Sequence, residues 1–170
     1  MAAQEIEDAI KSVLEGDTHK NALDFVAYLE AKGLPLDESD KYWDVKCNGR
    51  TVCALWIDGS DSVPGPWTIW SAEEPDSWAY WSDGEENRKY INAMVDEYIK
   101  EIAWVNVNVC GNCGGCGKPG GRRKTVLGKD FDGLCNAAMQ FVNPNAEALA
   151  CAKKMVDIRI ADILNDVERV

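Results

Sequence analysis

Asn48-Gly49 stands between two runs of alternating polarity, Tyr42 to Cys47 and Thr51 to Ile57. Asn and Gly best accept the two positive φ angles of a type I′ turn, whose twist suits adjacent antiparallel strands. The chain is therefore expected to double back here as a β-hairpin, and the rest of the fold must be built around it. A two-residue turn sets the register: Cys47 opposite Arg50, Val45 opposite Val52, Trp43 opposite Ala54. Trp43, Val45, Val52, Ala54 and Trp56 then share one face, expected to be the core face. In that register Cys53 and Cys47 lie on opposite faces, which argues against a disulfide between them.

Helical periodicity flanks the hairpin. Ile6, Ile10, Val13 and Leu14 fall on one face of a helix from Gln4 to Leu14. Ala22, Phe25, Val26 and Leu29 do the same in a second helix, which Gly33-Leu34-Pro35 closes. Trp67 to Ser71 reads as a third strand. Ile91, Met94, Val95, Tyr98, Ile99 and Ile102 predict a helix starting near Glu85. Trp104 to Val109 and Lys124 to Leu127 read as strands, and Cys135 to Phe141 as a strand or a helical turn. Asn143-Pro144 predicts a cap for a last helix, buried along Leu149, Ala152, Met155, Val156, Ile160, Ile163 and Leu164. Short strands joined by tight turns favour an α+β fold, an antiparallel sheet with helices packed on one side. Residues 1–170 are read as one domain, with 104–141 a metal-binding subdomain.

That subdomain rests on Cys110-Gly-Asn-Cys113-Gly-Gly-Cys116, followed after 18 residues by Cys135. Two residues between cysteines let both sulfurs face one ion, and the glycines permit the tight turns this needs. Four thiolates with no histidine nearby suit tetrahedral zinc. Such a site is coordinatively full, so its role is structural, and its binding free energy of about 10–16 kcal/mol feeds into folding. Three alternatives stay open: an iron–sulfur cluster, a redox dithiol at Cys110-Gly-Asn-Cys113, and unliganded thiols. Lys118, Arg122, Arg123 and Lys124 beside the loop are expected to balance the thiolate charge or to form a docking patch.

Charge narrows the partners. The residues before Cys110 hold 22 acidic and 9 basic side chains, against 7 and 9 from Cys110 onward. The acidic part repels phosphate backbones, so nucleic acid is not expected over most of the surface. No apolar run is long enough to cross a bilayer. The N-terminus lacks the basic and apolar regions of a signal peptide. A soluble, cytoplasmic protein is expected, in which clustered cysteines point to metal or redox chemistry.

Seven tryptophans are the second notable feature. Most are expected in the core. Trp67 and Trp70 sit an odd number of residues apart, so they point to opposite sheet faces. With Trp78 and Trp81 they form a candidate ligand-binding surface for an apolar, planar or cationic molecule or a protein partner. His19 is the one histidine, and no nucleophile–histidine pattern or phosphate-binding glycine motif accompanies it. The sequence favours a non-enzymatic protein over an enzyme.

Ile102-Ala103-Trp104, the four cysteines, Leu127-Gly128-Lys129-Asp130-Phe131 and Phe141-Val142-Asn143-Pro144 carry a resemblance. From about Ile102 to Leu164 the chain is similar to a group of uncharacterised bacterial proteins associated with anaerobic Gram-positive bacteria. Some members are joined to AraC-type regulators. The resemblance implies a sensing or accessory role and brings no catalytic residues.

Overall fold

The computed structural model describes residues 2–39, 42–58, 65–71, 96–112 and 119–167. In chain order these form α1 (Ala2–Val13), α2 (Gly16–Ala31), β1 (Leu36–Ser39), β2 (Tyr42–Cys47), β3 (Arg50–Ile57) and β4 (Trp67–Trp70). There follow α3 (Glu97–Val105), β5 (Val107–Val109), β6 (Arg122–Val126), β7 (Lys129–Val142) and α4 (Ala146–Val167). The architecture is α+β, as expected.

Every strand pairing is antiparallel, and the sheet runs β1-β2-β3-β4-β7-β5 with β6 also on β7. Strand β7 organises the far half of the sheet. Leu134 is opposite both Val109 of β5 and Arg122 of β6, so those two strands flank it. Gln140 to Val142 then pair with β4. Ser71 extends that junction: its hydroxyl donates to the Met139 carbonyl at 3.1 Å and accepts from the Met139 amide at 3.2 Å.

The helices cover one sheet face. Ile6, Ile10 and Leu14 of the α1 end, Phe25, Val26 and Leu29 of α2, and Leu149, Ala152, Met155 and Val156 of α4 join one apolar cluster. From the sheet they meet Val45, Cys53, Leu55, Trp67, Ile69 and Phe141. Tyr28 ties α2 to α4: its hydroxyl donates to Asp157 Oδ1 at 2.7 Å and lies 3.0 Å from the Lys153 carbonyl. The stripe of α4 differs from the expected one at its end. Leu164 is exposed, while Arg159 and Asp162 are buried and paired at 3.0 Å.

The hairpin turn forms as predicted, with Asn48 at φ 50° and Gly49 at φ 76°. Cys47 is opposite Arg50 and Lys46 opposite Thr51. Beyond that point the expected register is wrong by one residue. A β-bulge makes Val52 the extra residue, so Val45 pairs with Cys53, Trp43 with Leu55 and Tyr42 with Trp56. A one-residue slip exchanges the two faces of a strand. Cys53, Leu55 and Ile57 therefore face the core, and Ala54 and Trp56 face away from it. Cys53 consequently shares the core side with Cys47, contrary to expectation, yet both remain free thiols.

Other boundaries moved for local reasons. Asn145, not Asn143, caps α4, accepting from the Ala148 amide at 2.9 Å. Asn143 instead takes φ 44° and bonds to Trp67, its amide donating to the Trp67 carbonyl at 2.8 Å. Helix α3 runs through Trp104 and Val105, which were expected in a strand. Asp96 caps it, its Oδ1 accepting from the Tyr98 and Ile99 amides at 3.0 and 3.3 Å. Strand β1 was not foreseen. The part of the predicted helix holding Ile91, Met94 and Val95 lies outside the described residues. No helix among the described residues is long and apolar enough to cross a membrane.

Candidate functional site

The sheet face turned away from the described helices carries a row of aromatic rings. Tyr42 of β2 stacks on Trp56 of β3 with centroids 6.3 Å apart and planes at 18°. Trp56 stacks on Trp70 of β4 at 6.2 Å and 22°. Three neighbouring strands thus each contribute one ring. The row follows from register: Tyr42 is directly opposite Trp56, and Trp70 lies diagonally across from Trp56, which faces Thr68. Offset pairs of this kind contribute about 0.5–1.5 kcal/mol each beyond area burial. Gln140 of β7 is opposite Trp70 and extends the row by one strand.

Polar atoms on this face are left unmet. Trp56 Nε1, Trp70 Nε1 and Gln140 Nε2 are buried and have no hydrogen-bond partner. An indole N–H can only donate. Leaving such a group buried without an acceptor costs about 1–3 kcal/mol. Elsewhere, Trp104 Nε1 donates to the Val126 carbonyl at 2.7 Å, while Trp43 Nε1 on the core side is buried and also unmet.

This face corrects the expected aromatic surface. Trp67 is 1% exposed and belongs to the core, which removes it from any binding surface. Trp70 points the other way and is half-buried. Trp78 and Trp81 lie outside the described residues. Sequence reasoning missed Tyr42, Trp56 and Gln140. Three consecutive buried residues in β3, Thr51, Val52 and Cys53, are the structural mark of the bulge that turned Trp56 outward. Alternation alone could not reveal it.

The two described ends of the cysteine loop meet at β7, where β5 and β6 flank it. The Cys110 amide donates to the Gly133 carbonyl at 2.8 Å, two residues before Cys135. Opposite, Gly121 packs against the same residue so closely that a Cβ on it would stand 2.4 Å from the Gly133 oxygen. The neck of the loop is closed by the Gly120 amide, which donates to Asn112 Oδ1 at 2.5 Å. Asn112 Oδ1 is also 3.9 Å from Cys110 Sγ. Cys110 and Cys135 are both half-buried. Cys113 and Cys116 lie outside the described residues, as does Lys118. Among the described residues no three ligating side chains come together.

Of the basic residues beside the loop, Arg123 is engaged within the sheet. Arg123 pairs with Asp130 at 2.9 Å and Asp132 at 3.8 Å, across the β6–β7 hairpin. Its charge is engaged there rather than offered to the thiolates. Thr125 and Arg123 hold the Asp130 carboxyl below the usual carboxylate range. The hairpin turn is Leu127-Gly128, with φ 50° and 84°. Leu127 takes this left-handed conformation with its side chain buried. Lys129 then lies over the rings of Trp104 and Phe131 at 5.1 and 5.4 Å. His19, on α2, is on the helix side of the sheet and remote from the aromatic row. No family model, curated protein or solved structure matches this chain.

Proposed function

We propose that this chain is a non-enzymatic binding protein that receives a planar molecule on the Tyr42–Trp56–Trp70 row and holds its cysteine loop with one structural zinc. The observation that carries the binding reading is the row itself: three rings from three adjacent strands, on the face opposite the described helices, with two buried indole N–H groups unmet. A core that left those donors idle would gain stability from replacing them with apolar rings. A surface that uses them for a ligand gains specificity.

The zinc reading is supported by the neck geometry. Cys110 and Cys135 are carried to neighbouring strands at Gly133, and the Asn112–Gly120 bond closes the chain on either side of Cys113 and Cys116. Zinc bound by Cys110, Cys113, Cys116 and Cys135 would supply cohesion to a segment with few apolar residues. The resemblance of Ile102 to Leu164 to bacterial proteins, some joined to AraC-type regulators, accords with a sensing or accessory role.

Elemental analysis of protein purified without added metal tests the centre. About one zinc per chain in a colourless preparation is expected, lowered in both Cys110→Ser and Cys135→Ser. A brown preparation with visible absorption favours the iron–sulfur alternative. Full zinc content in both variants refutes the ligand assignment. For the row, Trp56→Ala and Trp70→Ala should abolish binding of planar ring compounds, while retained binding in both rejects it as the binding surface.

A further inference from the structure

The unmet groups of the row say which chemistry it selects. Trp56 Nε1 and Trp70 Nε1 are donors in every protonation state of the protein. Gln140, opposite Trp70, adds a third buried nitrogen, Nε2, whose N–H groups donate. The buried, unpartnered polar atoms of this face are thus all donors. Their complement is an acceptor at the edge of a flat ring, with the ring itself against the indoles.

Charge decides what kind of acceptor. The residues before Cys110, which include Tyr42, Trp56 and Trp70, hold 22 acidic against 9 basic side chains. That excess opposes a carboxylate or phosphate. A cation would suit the acidity and the ring faces, but it brings nothing for the indole N–H groups to bond. We infer that the row takes an uncharged planar ring system bearing a carbonyl or ring-nitrogen acceptor at its edge, in preference to a cation of the same shape. This deepens the proposed binding role of the row and rests on it.

Two probes of matched size separate the possibilities: coumarin, neutral with a ring carbonyl, and N-methylquinolinium, a cation without an acceptor. The full chain is labelled with nitrogen-15, and its indole N–H resonances are assigned with single Trp→Phe variants. Coumarin should move the Trp56 and Trp70 signals downfield and leave that of Trp43, on the core side, in place. It should bind at least tenfold more tightly than N-methylquinolinium. Trp70→Phe and Trp56→Phe keep a ring and delete a donor, and each should weaken coumarin about tenfold. Equal or tighter binding of N-methylquinolinium at the same signals overturns the inference while leaving the binding face intact. Unchanged coumarin affinity in both Phe variants overturns it too. If neither probe moves either signal, the inference and the binding reading fall together.

Discussion

Gly121 offers a substitution whose cost can be worked from the coordinates. It has φ +67°, and a Cβ there would meet the Gly133 oxygen at 2.4 Å, the Gly133 carbon at 2.5 Å and the Leu134 oxygen at 2.7 Å. All three are backbone atoms of β7 and cannot rotate aside. Alanine at this position must push the start of β6 away from β7. The left-handed conformation costs a non-glycine residue about 1–2 kcal/mol. Forcing a close backbone contact apart adds about 1–3 kcal/mol, by analogy with overpacking. Gly120 is the internal control: its φ is +86°, but nothing lies within 4 Å of an added Cβ. Gly120→Ala should therefore lose the conformational part alone. The two variants should differ by about 2 kcal/mol in urea unfolding, or by about 4–8 °C in Tm for a chain of this size. The m-value should stay constant, since both native states bury the same sheet. Equal losses in the two variants, or none in Gly121→Ala, would refute the close crossing of β6 and β7.

Further outcomes follow from other contacts. Asp162→Ala removes a carboxylate 3.0 Å from Arg159, which is 2% exposed in the core; urea unfolding should show a loss of about 3–5 kcal/mol, and a loss below about 1 kcal/mol would mean that the other contacts of Arg159, the Thr51 carbonyl among them, suffice. Burial and then the Asp157 hydrogen bond hold the Tyr28 phenol above its ordinary value, and burial pushes the Cys151 thiol up to about 12. The fold favours the neutral forms, so stability is complete below the ordinary values and is lost as pH rises through them, from about 9 upward. Tyr28→Phe should flatten part of that alkaline decline, and a parent protein equally stable at pH 8 and 11 would contradict it. In hydrogen exchange, the amides of Cys110 and Arg122–Lys124 should exchange faster than those of β3 and β4, because β5 and β6 are half-buried or exposed along most of their length while β3 and β4 are mostly buried.

The sequence was most legible where one local signal acted alone. The Asn48-Gly49 turn, the buried faces of the first two helices and the α+β class all rest on periodicity or turn chemistry, and tertiary packing left them intact. Legibility failed where two local rules competed. Asn143-Pro144 has the composition of a helix start, yet Asn143 is held by Trp67 of β4, and the cap passed to Asn145. Leu127-Gly128 has the glycine but not the Asn, Asp or Gly that usually precedes it in a type I′ turn, so the β6–β7 hairpin stayed hidden. Of the candidate site, the odd spacing separated Trp67 from Trp70 across the sheet but did not say which of them faced outward, and the ring partners of Trp70 were not foreseen. Trp56 was assigned to the core because the turn register was carried through the whole hairpin.

That misassignment shows how the aromatic row arises. The turn end of the hairpin demands Cys47 opposite Arg50. Farther along, the core demands that Leu55 and Ile57 point inward, beside Trp43 and Val45. In an unbroken ladder these demands conflict by one residue. The strand would then place Ala54 and Trp56 inside and leave Cys53, Leu55 and Ile57 on the outer face. The bulge at Val52 absorbs the conflict. It gives the core its aliphatic side chains and sends Trp56 outward, where β4 independently presents Trp70 through its pairing with Gln140. The row is therefore a product of two registers meeting, one set by the turn and one by the core. A half-buried aromatic platform assembled in this way needs no extra strand or loop, only one inserted residue in a hairpin already required by the fold.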